Sequence, residues 1–406
     1  MKNISGNPYL KKEDGRILFD LVFLEDILNK YKTPLLIFLE NRIRDNIKSF
    51  IDVVRSEFKN FECFYSFKAN FLPEICKIIH SEYIGANVAG LPELGLALKV
   101  GFHPDSILAG GLYLPKELIR VGIKNQIKEL VVYNLNDIKK INLLAQKFNS
   151  IQNICIRVNS KKYDSKLGIN FNKKNLMMLK NLIKSCKNIK ITTILSHYST
   201  QMNNIEQFKK NILTILEWLE NFSREGIDIK NINIGGGFPE AVIMPQNQLK
   251  KVIENIRITL EDFGINYEKI YFEPGRYLVG DSGLFITKII KANSDRWVFL
   301  NIGNQICPKF ARCSLRFYNA SHIEEPHKYK TSFAGIIPTD QDVLAKDYFF
   351  TDNLIEGDKI LVTNTGAYCL TFSNRFPYPL PNILLIKNDQ IKQIFDPNIE
   401  KDFSLH

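Results

Sequence analysis

No part of the 406-residue chain approaches the roughly 18 to 20 consecutive apolar residues that a membrane-spanning helix needs, so no membrane partner is expected. The first apolar stretch, residues 17–24, is broken by Asp20 and followed by Glu25 and Asp26, unlike the uninterrupted core of a secretory signal. A cytoplasmic protein is therefore expected. The seven cysteines are odd in number and include no CxxC pair, which argues against a disulfide framework or a zinc ribbon and for reduced thiols. The six histidines show no HxH or HxxxH spacing beside a carboxylate cluster, so no metal site is expected. Internal repeats and low-complexity segments are also missing.

What is present is ordinary globular material, 45% hydrophobic and 24% charged. The length exceeds what one hydrophobic core usually serves, which points to two domains or a large barrel with an addition. A net charge of +11 invites nucleic acid, a membrane surface or an anionic small molecule. The lysines are dispersed, however. Doublets such as Lys11-Lys12, Lys139-Lys140, Lys161-Lys162 and Lys173-Lys174 sit in otherwise mixed sequence, whereas a nucleic-acid tract would cluster them on one segment with interleaved aromatics, so a solvated basic surface is expected and nucleic acid is not.

From about residue 34 to 280, short β-branched or aromatic runs alternate with amphipathic stretches, the pattern of βα units around a parallel sheet. Candidate strands are residues 35–39, 61–67, 86–88, 106–108, 130–133, 154–158, 193–197, 232–234 and 270–273. That is one more than a (β/α)8 barrel requires, and pattern alone does not say which is the extra. Residues 204–222 read as a helix with Ile205, Phe208, Ile212, Ile215 and Leu219 on one stripe. Beyond Gly283 short strand-like runs take over at 298–302, 359–363 and 383–386, the last turning at Asn388-Asp389 into 390–395. The longest stretch without pattern, roughly 318 to 335, is the best loop candidate.

In a parallel barrel the active site lies at the carboxyl ends of the strands, so polar residues that close apolar runs are the ones to inspect. Lys68, His197, the triplet Gly235-Gly236-Gly237 and Glu273 each close such a run, and Glu273 opens Glu273-Pro274-Gly275-Arg276. Singly, each has a plain structural explanation: a solvated lysine, a satisfied imidazole, a turn. Together they supply an amine, an imidazole, uncovered backbone N–H groups, a guanidinium and a carboxylate. That inventory suits a phosphorylated cofactor held as a Schiff base.

Tyr65-Ser66-Phe67-Lys68-Ala69-Asn70 resembles the lysine motif of the fold-type III pyridoxal-phosphate decarboxylases, the ornithine and diaminopimelate decarboxylase family. Further segments match in order: Ser165-Lys166-Leu167-Gly168, His197-Tyr198-Ser199-Thr200-Gln201, Gly235-Gly236-Gly237-Phe238-Pro239, Glu273-Pro274-Gly275-Arg276 and Gly366-Ala367-Tyr368. The resemblance covers nearly the whole chain. It implies an α/β barrel binding pyridoxal 5'-phosphate over residues 34–280, and a β-rich domain made of residues 1–33 and 281–406. It further implies a head-to-tail homodimer with shared active sites. Lys68 would hold the cofactor, His197 would stack on its ring, and Thr200, Gly235, Gly236, Gly237, Arg276 and Tyr368 would hold its phosphate. Glu273 would pair with the ring nitrogen, which favours decarboxylation over racemisation, because a protonated ring is the stronger electron sink.

The resemblance fails at one loop. The family's Gly-Pro-x-Cys-(Asp/Glu)-x-x-Asp pattern aligns with Gly335-Ile336-Ile337-Pro338-Thr339-Asp340-Gln341-Asp342, so Pro338 stands for the cysteine and Thr339 for the acid. Asn87 also occupies an aspartate position of the family near the lysine, and Gly90 and Ser199 are milder departures. The cysteine helps direct reprotonation in relatives, and proline has no proton to give; released Lys68 or water could serve, with Cys307, Cys313 and Cys369 more remote. In ornithine decarboxylases the acid pairs with the substrate's free ammonium, and threonine there forfeits a charge-assisted hydrogen bond of about 1.5 to 3 kcal/mol. The expectation is a substrate whose distal amine is acylated, N-citryl-ornithine in rhizoferrin-type siderophore assembly being the specific one. Its binding would involve Thr339, Asp342, Arg316 and Arg375, with Lys309 and Arg312 as further carboxylate partners. The alternatives are ornithine, lysine or diaminopimelate decarboxylation, or a non-catalytic regulator of the family.

Overall fold

Eight of the nine expected strands close into one parallel barrel: β1 (Phe61–Ser66), β2 (Gly85–Val88), β3 (Ile107–Gly110), β4 (Glu129–Val132), β5 (Gln152–Arg157), β6 (Ile189–Leu195), β7 (Asn231–Asn233) and β8 (Lys269–Phe272). They pair in chain order, and β8 returns to β1 with Ile270 opposite Phe61. The ninth, Leu35–Leu39, belongs to another sheet, parallel to Asn382–Lys387 and antiparallel to Gly283–Ala292. All of its residues are buried, and a fully apolar run carries no period that tells one sheet from another.

The computed structural model describes residues 1–161 and 165–400; Lys162 of the third doublet and the end of the expected C-terminal segment lie outside them. The chain divides into two units. The barrel unit comprises Ile47–Pro239 and Met244–Gly275, and the β-rich unit comprises Met1–Asn46, Glu240–Ile243 and, among the described residues, 276–400.

In the barrel unit, the helix Ile205–Arg224 begins where the Asn204 side chain accepts from the Gln207 N–H, and it buries Phe208, Ile212, Ile215, Leu219 and Phe222. Inside the barrel Phe64, Leu108, Val131, Cys155, Leu195 and Tyr271 meet as a packed cluster, so the interior is a core and not a pore. Phe64 and Tyr271 contact edge to face at 5.3 Å between ring centres. A carboxyl is buried at the first residue of β4. Glu129 Oε1 accepts from the hydroxyls of Thr192 and Thr193, while Oε2 has no partner among the described residues.

The β-rich unit holds a four-stranded antiparallel sheet (Lys2–Ile4, Asn7–Glu13, Arg16–Phe19, Val22–Phe23) and a nine-stranded mixed sheet. Phe19, Ile27, Leu35, Ile37, Leu39, Leu284, Leu361 and Leu384 belong to one apolar core, which joins the two sheets. The expected loop at 318–335 is shorter than the sequence suggests, because Arg316–Asn319 and Tyr329–Ala334 are strands. Tyr329–Ala334 turns Thr331 and Phe333 inward, and Phe333 stacks on Phe317 at 4.3 Å, a long-range partner that no local pattern announces.

Burial pushes the Glu129 carboxyl up to about 7, against the opposing pull of the two threonine hydroxyls and Lys128. The folded state thus binds this proton more tightly than the unfolded chain does. The stability it contributes is complete below the unfolded value near 4.5 and is lost as pH rises through about 7. The loss amounts to about 3 kcal/mol. Glu129→Gln keeps an oxygen acceptor for both hydroxyls, so it should raise the urea midpoint at pH 8 and leave it nearly unchanged at pH 5; an equal midpoint shift at both values would contradict this account.

Candidate active site

The carboxyl ends of the barrel strands gather most of the expected residues. Lys68 stands exposed in the short turn Phe67–Ala69 that follows β1. That turn is braced from within: the Tyr65 hydroxyl donates to the Asn70 carbonyl at 2.8 Å, and Asn70 Oδ1 accepts from Leu72 N at 3.0 Å. Glu93 accepts from the Ala89 N–H at 2.6 Å; burial raises its pKa, and the nearby Lys68 charge pulls it back.

The triple glycine is dictated by space. Gly235 and Gly237 have φ of +68° and +93°, and a Cβ on Gly236 would stand 2.3 Å from the Glu273 carbonyl oxygen. The backbone of the loop can therefore lie against its neighbours in a way no side chain permits. Gly235 N–H donates to Asn233 Oδ1 at 2.8 Å, and Gly236 N–H to His197 Nδ1 at 3.3 Å. Accepting at Nδ1 assigns the His197 proton to Nε2 in the neutral ring. Thr200 lies exposed beyond it.

Glu273 is reached by the same glycine turn, its N–H donating to the Gly235 carbonyl at 2.8 Å, while Asn233 Nδ2 donates to Oε1 at 2.8 Å. The residue is half-buried by surface area, yet the surrounding protein desolvates its carboxyl enough to hold the pKa above the usual range. Asn233, Lys68 and Arg157 oppose that rise. Arg157 closes β5 as a buried guanidinium, 2.6 Å from the Tyr133 hydroxyl, with its carbon 4.8 Å from the centre of that ring. Arg157 and Asn233 were not among the expected residues: each ends its observed strand but lies inside the candidate run read from the sequence, 154–158 or 232–234, so the search for polar residues that close apolar runs passed over both.

In the β-rich unit, Arg276 is buried. It meets Glu240 Oε1 at 3.2 Å through Nη1, donates to the Ala311 carbonyl at 2.7 Å through Nη2, and lies 4.7 Å from the Tyr368 ring centre. Its Nε has no partner among the described residues. The segment that carries Glu240 is held in place because Val242 N–H donates to Asp281 Oδ2 at 3.0 Å, and that carboxylate also accepts from Arg42 and Asn46. Burial raises the Glu240 pKa and Arg276 draws it down.

The divergent loop closes on one acid of this unit. Asp342 Oδ1 accepts from Asn304 N and Oδ2 from Ile337 N, each at 2.7 Å. Thr339 and Asp340 are exposed. Asp342, expected to face substrate, is thus engaged in loop structure on both oxygens. Arg316 is half-buried on Arg316–Asn319, and Arg375 donates to the Ser373 carbonyl at 3.1 Å.

The family model described as pyridoxal-dependent decarboxylase, pyridoxal binding domain, matches residues 44–280. The chain belongs to that family. This decarboxylase is 26% identical to the diaminopimelate decarboxylase of Aquifex aeolicus over 96% of its own chain and 94% of the relative. It is 25% identical to the L-glutamyl-(BtrI acyl-carrier protein) decarboxylase of Niallia circulans, over 82% of its chain and 84% of the relative. The diaminopimelate decarboxylase of M. jannaschii, solved with L-lysine, superposes with a TM-score of 0.85 at 23% identity, covering 96% of this chain and 95% of that one, which establishes the shared fold. The cofactor of the decarboxylase is pyridoxal phosphate. The residues of the barrel unit fit it: an exposed amine, a desolvated carboxyl and a glycine turn that no Cβ could enter. The β-rich unit by itself holds a buried guanidinium whose Nε has no partner among the described residues. Among the described residues no helix is long and apolar enough to cross a membrane, and no group of three metal-binding side chains occurs.

Asn233 lowers the Glu273 pKa by donating to its carboxylate, so its removal should move that pKa upward. Asn233→Ala is expected to cut kcat by about tenfold to a hundredfold, the size of a hydrogen bond to a charged group, and to shift the acidic limb of the kcat–pH profile to higher pH. A pH profile identical to the wild type would show that Asn233 does not act through Glu273.

Proposed function

We propose that this decarboxylase acts on a basic amino acid whose distal amine is acylated, with N-citryl-ornithine as the specific substrate and siderophore assembly as its setting. The observation that carries the reading is the divergent loop. Thr339 occupies the position of the family's ammonium-binding acid, and Asp342 could approach a substrate only by giving up two backbone hydrogen bonds. A free ammonium there would lose a charge-assisted partner, while a citryl amide brings no distal ammonium and adds carboxylates that suit the basic charge of the chain. The Niallia circulans relative is named for an amino acid attached to a carrier, which supports conjugates as substrates within this family. A second reading, diaminopimelate decarboxylation, is favoured by the Aquifex aeolicus relative.

Lys68 is assigned as the covalent anchor of the cofactor, exposed on a braced turn where its amine can exchange with that of a substrate. When bound, pyridoxal phosphate supplies the electron sink for the pair left on Cα as CO2 departs. Glu273 would keep a proton at the cofactor's ring nitrogen, and because Asn233 donates to Oε1, Oε2 would remain for that task. His197, whose Nδ1 accepts from the Gly236 N–H, would offer its ring face for stacking. Thr200, the triple glycine, Arg276 and Tyr368 are assigned to the phosphate; because Gly235 and Gly236 donate within the protein, Gly237 is the glycine whose amide is proposed for it. With proline at position 338, the proton delivered to Cα comes from the Lys68 ammonium or from water. The proposal includes a head-to-tail homodimer in the cytoplasm, supported by the family resemblance and by seven free thiols.

Purified enzyme supplied separately with N-citryl-ornithine, ornithine, lysine and meso-diaminopimelate should release CO2 from the conjugate alone. Release from diaminopimelate alone would establish the second reading, and release from free ornithine would discard the account of the loop. Thr339→Asp should improve kcat/KM for ornithine relative to the conjugate by about tenfold, the equivalent of about 1.4 kcal/mol. Lys68→Ala should abolish turnover, and normal turnover in that variant would remove the lysine from the scheme.

A further inference from the structure

Three thiols of the β-rich unit form a cluster to which the proposed function assigns no part. Cys313 Sγ lies 3.5 Å from Cys369 Sγ, and the Cys369 thiol donates to Cys307 Sγ at 3.8 Å. All seven cysteines are separate thiols in this structure. Cys307 and Cys369 are buried, whereas Cys313 is half-buried. Cys307 and Cys313 line a cavity of about 150 Å3 with Lys309 and Arg312, roomy enough for a small oxidant. Both basic residues are exposed, so the cavity gives solvent access to the half-buried thiol.

The cluster is linked to Arg276 by two segments of chain. Ala311, two residues before Cys313, gives its carbonyl to Arg276 Nη2, and Tyr368, one residue before Cys369, presents its ring to the same guanidinium. The segments that bring the sulfurs together are therefore the segments that hold Arg276. A disulfide requires the sulfurs to close from 3.5 Å to about 2.0 Å, and whatever part of that approach side-chain rotation does not supply moves one segment against the other.

We propose that Cys313 and Cys369 are an oxidative modification site, closed to a disulfide by a small peroxide, and that closure loosens the grip on Arg276. The Cys313 thiolate attacks one peroxide oxygen, the O–O bond breaks, and the departing hydroxide takes up the proton that Cys313 released, leaving as water. The resulting sulfenic acid is attacked by Cys369; an S–S bond forms, the S–O bond breaks, and the Cys369 proton leaves with the hydroxide as a second water. Two thiols are oxidised by two electrons and one peroxide is reduced to two waters. The effect on cofactor binding rests on the assignment of Arg276 to the phosphate; the disulfide chemistry does not.

The test treats the cofactor-loaded protein with hydrogen peroxide, blocks remaining thiols and digests with trypsin, which separates Cys307, Cys313 and Cys369 into the fragments 297–309, 313–316 and 360–375. Fragment 313–316 should appear joined to 360–375, vanish after dithiothreitol, and be absent from both Cys313→Ser and Cys369→Ser. Oxidised wild-type protein should retain cofactor several-fold less well on gel filtration, and the oxidised Cys369→Ser variant should not change. No linkage, or linkage through fragment 297–309, would overturn the site. Linkage with unchanged cofactor retention would overturn the coupling to Arg276. Linkage with weakened retention supports the proposal whichever amino acid the enzyme proves to decarboxylate.

Discussion

Closing eight parallel strands into a barrel forces every strand to deliver its carboxyl end to one rim, and the chemistry proposed for this decarboxylase depends on what the chain places there. The decisive contact is the approach of Gly236 to the Glu273 carbonyl, so close that any Cβ would collide. That approach aligns the turns after β7 and β8, and the result is a small network: Asn233 bridges Gly235 N–H and Glu273 Oε1, and His197 accepts from Gly236 N–H. Asparagine is suited to the bridge because it offers a donor and an acceptor at once, so one side chain fixes both the glycine turn and the carboxyl it faces.

Buried charge is the recurring cost of this architecture, and each instance is offset differently. Glu273 is desolvated, which raises its pKa, but it keeps an amide donor and two nearby cations that oppose the rise. Glu129, inside the barrel, has only hydroxyl donors and one lysine, and its carboxyl moves up to about 7. Glu240 meets Arg276 directly, and the segment that carries it is pinned by Asp281. An ionised pair as deeply buried as Glu240 and Arg276 is poor evidence of stability, because desolvation offsets most of its attraction. Its position beside the Tyr368 ring makes more sense as a device that orients a guanidinium.

The loop at 335–342 departs from the pattern that the family resemblance implies, yet one acid ties it down. Asp342 holds it through the backbone N–H groups of Asn304 and Ile337, so the loop stays defined although its cysteine and its other acid are gone. The residues assigned to the cofactor's ring and amine sit on strand ends held by the barrel, whereas Pro338 and Thr339 lie exposed on a loop, where replacement disturbs little packing.

Much is legible in the chain alone because the relevant rules are local. Alternating βα patterning marks eight strands within a residue or a few of their observed ends, and the polar residues that close those runs include Lys68, His197, the glycines and Glu273, which the structure places on the barrel unit. Leu35–Leu39 cannot be sorted in that way, since a strand buried on both faces looks the same in any sheet, and only its pairing with Gly283–Ala292 and Asn382–Lys387 decides its membership. Tyr329–Ala334 reads as loop because its packing partner Phe317 comes from a different strand. The sequence by itself determined which residues could do chemistry, because donor type and strand position are properties of the chain. Tertiary structure decided how each one is engaged: it turned Asp342 inward to the backbone, set Glu240 against Arg276, and brought Cys307, Cys313 and Cys369 together from separate segments. Those outcomes depend on distances across the fold, and no spacing in the sequence encodes them.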